Sequence, residues 1–347
     1  MPDNHPQIQE GLDAPPRIDL RGLRKKELAT LMGLLRQVQT DAAYCDIPAA
    51  NAAVEYFVLA PGADQLPNVK ALMHCLSRLA VYYVMHDRRI QGDLERGLSE
   101  FIELTFEALR KFAPSKTSGE FGEILLYSFL EEKHGASQAL AKMETKKDPT
   151  EYVKGADAVH LRVDGQTMHI YWGESKVEGT FDKALASAFE SLSRFLAPTE
   201  RADDEGALLD VKQNQFPADV VRALEAHYKG LGVATYAVQE HLVVFLCFSW
   251  PWFKAIANAH GTSAEQELHS KVKKAAKGFH KLIATKFPMQ NRTNAQRLSV
   301  ILLPVDNVQN ARDVFQQVFH MHNTPGKTPG KPAKSDQAPK TSKAGAK

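Results

Sequence analysis

The stretch DAVHLRVDGQTMHIYWGESK, residues 157–176, decides the fold. Its halves, Asp157–Val163 and Met168–Glu174, read as strands. Between them Asp164-Gly165-Gln166 supplies a turn, because Asp-Gly tolerates the positive φ that a tight hairpin needs. In an antiparallel hairpin the start of one strand lies beside the end of the next, so Asp157 and Glu174 should converge. Strand alternation puts Glu174 and Lys176 on one side. The sequence thus predicts two carboxylates and an amine at one end of a hairpin.

Helices flank this hairpin. Upstream, Ser118-Gly119-Glu120-Phe121-Gly122-Glu123 opens an apolar helix over Ile124–Leu130, with Ser118 as N-cap. A weak strand is expected at Ala139–Met143. Downstream, Leu185, Phe189, Leu192, Phe195 and Leu196 give Phe181–Leu196 one apolar side. Pro198–Asp210 reads as charged and irregular. Leu242–Ser249 and Leu298–Pro304 are too apolar to face water on either side and read as buried strands, with a basic helix, Glu265–Phe287, between them. Residues 118–305 therefore predict an α/β or α+β sheet with helices on its faces. Ahead of it, residues 21–114 read as mainly helical: Leu23–Val38, a first helix from Val69 to Val84, a second from Leu94 to Leu109, and one strand-like run at Val54–Leu59.

Composition bounds the function. The 347 residues are 44% hydrophobic and 24% charged, as in a globular protein with a sizeable core. The longest apolar run, Leu242–Phe248, is far short of the roughly 20 residues that cross a bilayer. No secretory signal precedes it, and Cys45, Cys75 and Cys247 have no framework or zinc spacing, so a cytoplasmic protein is expected. The net charge of +2 divides unevenly. Thr324–Lys347, with six Lys and one Asp, carries +5 and leaves −3 on the rest. Residues 1–20, polar and Pro-rich, and this tail from 324 have nothing to bury and are expected to be disordered. Residues 115–323 are expected to form the sheet-bearing domain.

Familiar catalytic signatures are absent: no Gly-x-Ser-x-Gly elbow, no phosphate loop, no complete Gly-x-Gly-x-x-Gly. His320-x-His322 lacks the partners of a metal site. Glu-x-Lys itself is common here, at Glu131–Lys133 and Glu144–Lys146 as well as Glu174–Lys176. Only the last stands at a strand end with an aspartate on the neighbouring strand. Asp157, Glu174 and the backbone carbonyl of Ser175 make a hard-oxygen set suited to Mg²⁺ or Mn²⁺, and Lys176 stands where it can orient an attacking water. Glu120 and Glu123, three apart on a helix, offer a further carboxylate; Glu123 is favoured as the deeper of the two. The competing reading is a solvated rim of charges at a strand end.

Gly119-Glu120-Phe121-Gly122-Glu123, Lys154-Gly155-Ala156-Asp157 and Trp172-Gly173-Glu174-Ser175-Lys176 together resemble the PD-(D/E)xK nuclease superfamily, and within it the HamA family (AbpA-like), nuclease subunits of the Hachiman antiphage defence system. Ala156-Asp157 replaces the superfamily's Pro-Asp and keeps the aspartate. The resemblance implies a restriction-endonuclease-like fold and a Mg²⁺-dependent deoxyribonuclease with Asp157, Glu174, Lys176 and Glu120 or Glu123 at its site. It also implies a HamB-like superfamily-2 helicase partner that restrains the nuclease. The alternatives are a non-catalytic interaction or sensor subunit of the same fold, and a stand-alone restriction-type nuclease. Lys271, Lys273, Lys274, Lys277 and Lys281 on one helix, and Arg21–Lys26, are the local basic patches, the Lys271 helix being equally readable as a solvated face.

Overall fold

A computed structural model describes residues 19–48, 51–64, 66–149, 155–210, 216–232, 236–253, 264–286 and 297–320. The chain runs α1 (Leu20–Leu34), β1 (Leu35–Gln37), β2 (Asp46–Ile47), β3 (Ala52–Leu59), α2 (Val69–Val84), α3 (Asp87–Arg96), α4 (Leu98–Arg110), α5 (Glu120–Lys133), β4 (Ser137–Gln138), β5 (Ala158–Asp164) and β6 (Thr167–Glu178). It continues through α6 (Phe181–Phe195), α7 (Pro198–Asp210), α8 (Ala218–Lys229), β7 (Ala237–Ser249), α9 (Ala264–Lys286), β8 (Arg297–Val305) and α10 (Val308–His320). The strands form one mixed sheet in the order β1-β3-β8-β7-β6-β5-β4, with β2 also on β3. β3, β8, β7 and β6 run parallel to one another; β5 returns antiparallel to β6, β4 to β5, and β1 and β2 to β3.

The apolar runs are explained by two cores, one on each face. In β7, Val243, Phe245 and Cys247 enter a core shared with α1, α2, α4, α5 and α10. The alternate residues Leu242, Val244, Leu246 and Phe248 enter a second core shared with α6, α7, α8 and α9. A strand covered on both faces has no polar face to show, so it reads as continuous hydrophobicity. Residues 21–114 are mainly helical, and they also lend β1, β2 and β3 to the sheet, where β3 lies beside β8.

Several local expectations are corrected. The helix from Leu23 stops at Leu34, and Leu35–Gln37 cross into β1 against β3; apolar spacing could not separate the two because a buried strand needs the same residues. The Leu94–Leu109 helix is two helices, broken at Gly97. Ala139–Met143 is no strand: β4 is Ser137–Gln138, and a 3-10 turn follows at Lys142–Thr145. Pro198–Asp210 is helical, with Asp203 and Asp210 exposed, Asp204 buried, and Leu208 and Leu209 in the second core. The N-cap of α5 is Gly119, while the Ser118 hydroxyl accepts the Glu120 N–H at 3.1 Å. Of the N-terminal arm, Asp19 is ordered enough to cap α1, accepting from the Gly22 N–H at 3.0 Å; residues 1–18 and the basic tail lie outside the described residues. Among the described residues no helix is long and apolar enough to cross a membrane.

Candidate active site

The β5–β6 register pairs Ala158 with Gly173, so Asp157 and Glu174 stand directly opposite as the next pair along. The Ser175 N–H donates to Asp157 Oδ2 at 2.8 Å, tying the aspartate to the strand that carries the other two residues. Glu174 and Lys176 follow Trp172 in alternation. Trp172 lies in the second core, so both project toward the layer of α6–α9. Lys176 Nζ is ion-paired with Glu174 Oε1, and their side chains are only 22% and 12% exposed.

The opposite face brings α5. Gly122 rides directly over β6: a Cβ there would stand 2.5 Å from Ser175 Oγ and 2.6 Å from Val177 Cγ2. This contact seats the first turn of α5 at the same end of the hairpin and explains the glycine between the two glutamates. Those glutamates then part company. Glu120 is buried and fully engaged. It accepts from the Ala113 N–H at 3.0 Å, the Ser118 hydroxyl at 2.9 Å and Lys146 Nζ at 3.2 Å. Glu123 instead opens on a cleft of about 430 Å³, where Tyr83 O–H donates to its Oε2 at 2.7 Å.

The electrostatics bind the acids into one group. Burial pushes the Glu123 carboxyl up to about 7, with Glu120 and Glu174 adding repulsion and Tyr83 and Lys146 opposing. Burial likewise holds Asp157 well above the usual carboxylate range, with Glu174 and Glu123 adding to the rise; Lys176 and the Ser175 N–H work against it. Glu120 is raised by burial despite Lys146. The cleft reaches Glu120, Glu123 and Asp157 but not Glu174 and Lys176, which lie on the other side of β6. Among the described residues, no three acid, imidazole or thiol side chains are gathered closely enough to hold one ion. The donor chemistry nonetheless suits a divalent cation: Asp157 and Glu123 are hard-oxygen acids raised by burial, and Glu174 adds to the rise of both.

Three contributors escaped the sequence reading. Lys146, from an apparently worthless Glu-x-Lys, lies buried in the cleft wall against Glu120. Asp204 of α7, 3% exposed, accepts the Ala156 N–H at 2.7 Å and pairs with Lys142, which donates to Ala156 O at 3.0 Å. This clamp holds the backbone one residue ahead of Asp157. It requires Gly155, whose φ is +91° and whose Cβ position Asp204 already fills. Arg312 of α10 donates to Ser118 O at 3.3 Å and Val177 O at 2.7 Å, fastening the start of α5 to β6. None carries a sequence signal, since their contacts span twenty-six residues for Lys146, forty-eight for Asp204 and more than a hundred for Arg312. His320 ends α10; His322 lies outside the described residues.

Among curated proteins no relative was found. The model of the HamA family matches residues 39–319, which takes in β3, the α5 glutamates, the β5–β6 hairpin and nearly all of α10. A match over most of its length shows that the chain belongs to the HamA family.

Proposed function

We propose that this chain, by its HamA family membership a Hachiman-type antiphage defence protein, is the DNA-cutting effector of that defence: a cytoplasmic, PD-(D/E)xK-type, Mg²⁺- or Mn²⁺-dependent endonuclease that a HamB-like superfamily-2 helicase restrains and releases. The observation that carries this reading is the Asp157–Glu174–Lys176 arrangement at one end of the β5–β6 hairpin, with Glu123 electrostatically joined to it from α5.

In this reading Asp157, Glu174 and the Ser175 carbonyl hold the metal, with Glu123 as the further carboxylate. The bound metal supplies Lewis acidity at a phosphoryl oxygen and stabilises the leaving oxyanion. Lys176, on the same face as Glu174, orients the attacking water and assists its deprotonation. Glu120, saturated by Ala113, Ser118 and Lys146, fixes the loop before α5 and takes no part in the chemistry. Asp204 and Lys142 hold the backbone from which Asp157 projects.

The test is plasmid cleavage with Mg²⁺ by the purified chain, alone and with its helicase partner. Glu174→Ala and Lys176→Ala should each abolish cleavage while leaving the fold intact. Cleavage retained in both variants sinks the site. A second reading has one observation in its favour: Asp157 and Glu174 are already satisfied internally by the Ser175 N–H and Lys176. A chain that cuts no DNA with any metal or partner is then a nuclease-fold interaction or sensor subunit.

A further inference from the structure

The face toward which Glu174 and Lys176 project is also the layer of α9. This helix holds six Lys and two Glu, and both acids fall in its first turn. They are already engaged, Glu265 with Arg36 at 3.4 Å and Glu267 with Lys271 at 3.5 Å. Leu268, Val272, Ala276 and Ile283 bury one side of the helix. The other side shows Lys273, Lys277 and Lys281 four residues apart in one line, with Lys274 beside them, all exposed. Among the described residues none of the four lies in an ion pair. Like charges four apart on a helix repel one another, so the row opposes folding and a bound polyanion would relieve it.

We propose that this row binds the phosphate backbone of duplex DNA and leads it to the hairpin end. The dimensions agree. Eight residues of helix rise about 12 Å, the axial length of three to four phosphates of one strand. Gly278 stands exposed within the row, and a Cβ there would meet nothing within 4 Å. No packing need accounts for a glycine in mid-helix, and its bare backbone leaves room for close approach. At the start of the row Trp252 is 45% exposed, with Lys271 Nζ 4.5 Å from its ring, an aromatic face beside cations of the kind that receives nucleic acid.

Placement supplies the direction. Phe279, between Lys277 and Lys281, packs on Phe181 at 4.5 Å and on Phe248 at 5.7 Å. Phe181 opens the helix after β6, and Phe248 pairs with Glu178 at the end of β6, two residues beyond Lys176. The Lys277–Lys281 part of the row therefore lies at the level of the strand end that carries the proposed site, on the outer side of α9. With −3 on the chain apart from its basic tail, a local row is also the form that phosphate affinity must take. The use of the bound DNA rests on the nuclease reading; the binding itself does not.

The experiment measures binding and not cleavage, using full-length Glu174→Ala protein and a fluorescein-labelled duplex between 50 and 200 mM salt. Lys273→Gln/Lys277→Gln/Lys281→Gln should weaken binding at least tenfold and flatten the plot of log K against log salt by about 0.9 per lost contact, near 2.7 in all. The control Lys25→Gln/Lys26→Gln/Lys70→Gln removes the same charge elsewhere and should change the slope by less than 1. Equal slopes for the two triples, unchanged binding in the α9 triple at the same melting temperature, or no binding by the parent at 50 mM salt would each overturn the proposal. Loss of the helicase complex with DNA binding intact would reassign the row to an acidic protein surface and overturn it likewise. If the slope falls as expected but no protein in the series, nor the wild type, cuts DNA, the nuclease reading fails and the DNA track stands.

Discussion

The two ends of β6 bury titratable groups of opposite kinds. At the Thr167 end His169 Nδ1 meets His241 Nε2 at 2.9 Å, and Tyr171 stacks on His241 with centroids 4.6 Å apart. At the Glu178 end stand Glu174 and Lys176, with Asp157 and Glu123 converging. Burial drives both ends toward neutrality. It lowers His241 to about 4, helped by His169, and raises Glu123 to about 7. The outcomes differ in what they leave to be done. Two neutral imidazoles satisfy each other by a hydrogen bond and call for no ligand. The Asp157 and Glu123 carboxyls are both pushed up, and a cation beside them would favour their charged forms. Desolvation thus yields a structural end at the histidines and a cation-seeking end at the acids.

The largest test of that contrast is catalytic. Glu174→Ala and Lys176→Ala are expected to lower single-turnover cleavage of plasmid DNA by about 10²–10⁴-fold, the scale of lost acid–base and electrostatic catalysis. His241→Gln should stay within about threefold of wild type. A comparable loss in His241→Gln would erase the distinction between the ends.

Metal binding comes next. At pH 8, Mg²⁺ at ten times its Kd should stabilise the protein by about 1.4 kcal/mol, seen as a rise in melting temperature. Asp157→Asn should remove that rise. An undiminished rise places the ion elsewhere.

The pH dependences should be mirror images. The folded Glu123 carboxyl titrates near 7 against an ordinary 4.5, so the native state holds the extra proton between those values. Its contribution is present below about 4.5 and lost as pH rises toward 7. In metal-free protein Glu123→Gln should flatten that decline and raise stability at pH 8 by on the order of 1–2 kcal/mol, discounted because the carboxyl reaches the open cleft. His241 has the reverse sign: the unfolded chain takes the proton first, so stability is lost as pH falls from about 6.5 toward 4. His241→Gln should remove this acid loss, an effect of about 1 kcal/mol after solvent screening. Urea melts across pH 4–8 decide both. Slopes of the same sign in the two variants would break the comparison.

What could be read from the sequence follows interaction range. The hairpin was legible because its turn and both strands lie within twenty residues, and alternation then fixed Glu174 and Lys176 on one face. The central strands were legible because burial on both faces leaves a run such as Leu242–Phe248. Glu120 and Glu123 were visible as a pair, but their division of labour depends on Tyr83 and Lys146, forty and twenty-six residues away. Asp204 was hidden for the same reason, inside a segment whose charges suggested a loop. Leu35–Gln37 shows the converse failure: helical spacing ran on into a strand because the core asks the same apolar residues of both.

The place of β3 in the sheet sets an order in time. Its neighbour β8 begins at Arg297, some 240 residues after β3 ends. At about 5–20 residues per second, synthesis of that span takes roughly 12–50 s. Through that interval one edge of β3 has no partner from β8, and β7, once made, waits for the same strand as its second neighbour. The hairpin bearing Asp157 and Glu174 leaves the ribosome early, but Arg312, which fastens α5 to β6, is made only after β8. A nascent or prematurely terminated chain therefore carries the acids without the framework that aligns them, and the cell meets the assembled site only once translation has passed the last strand.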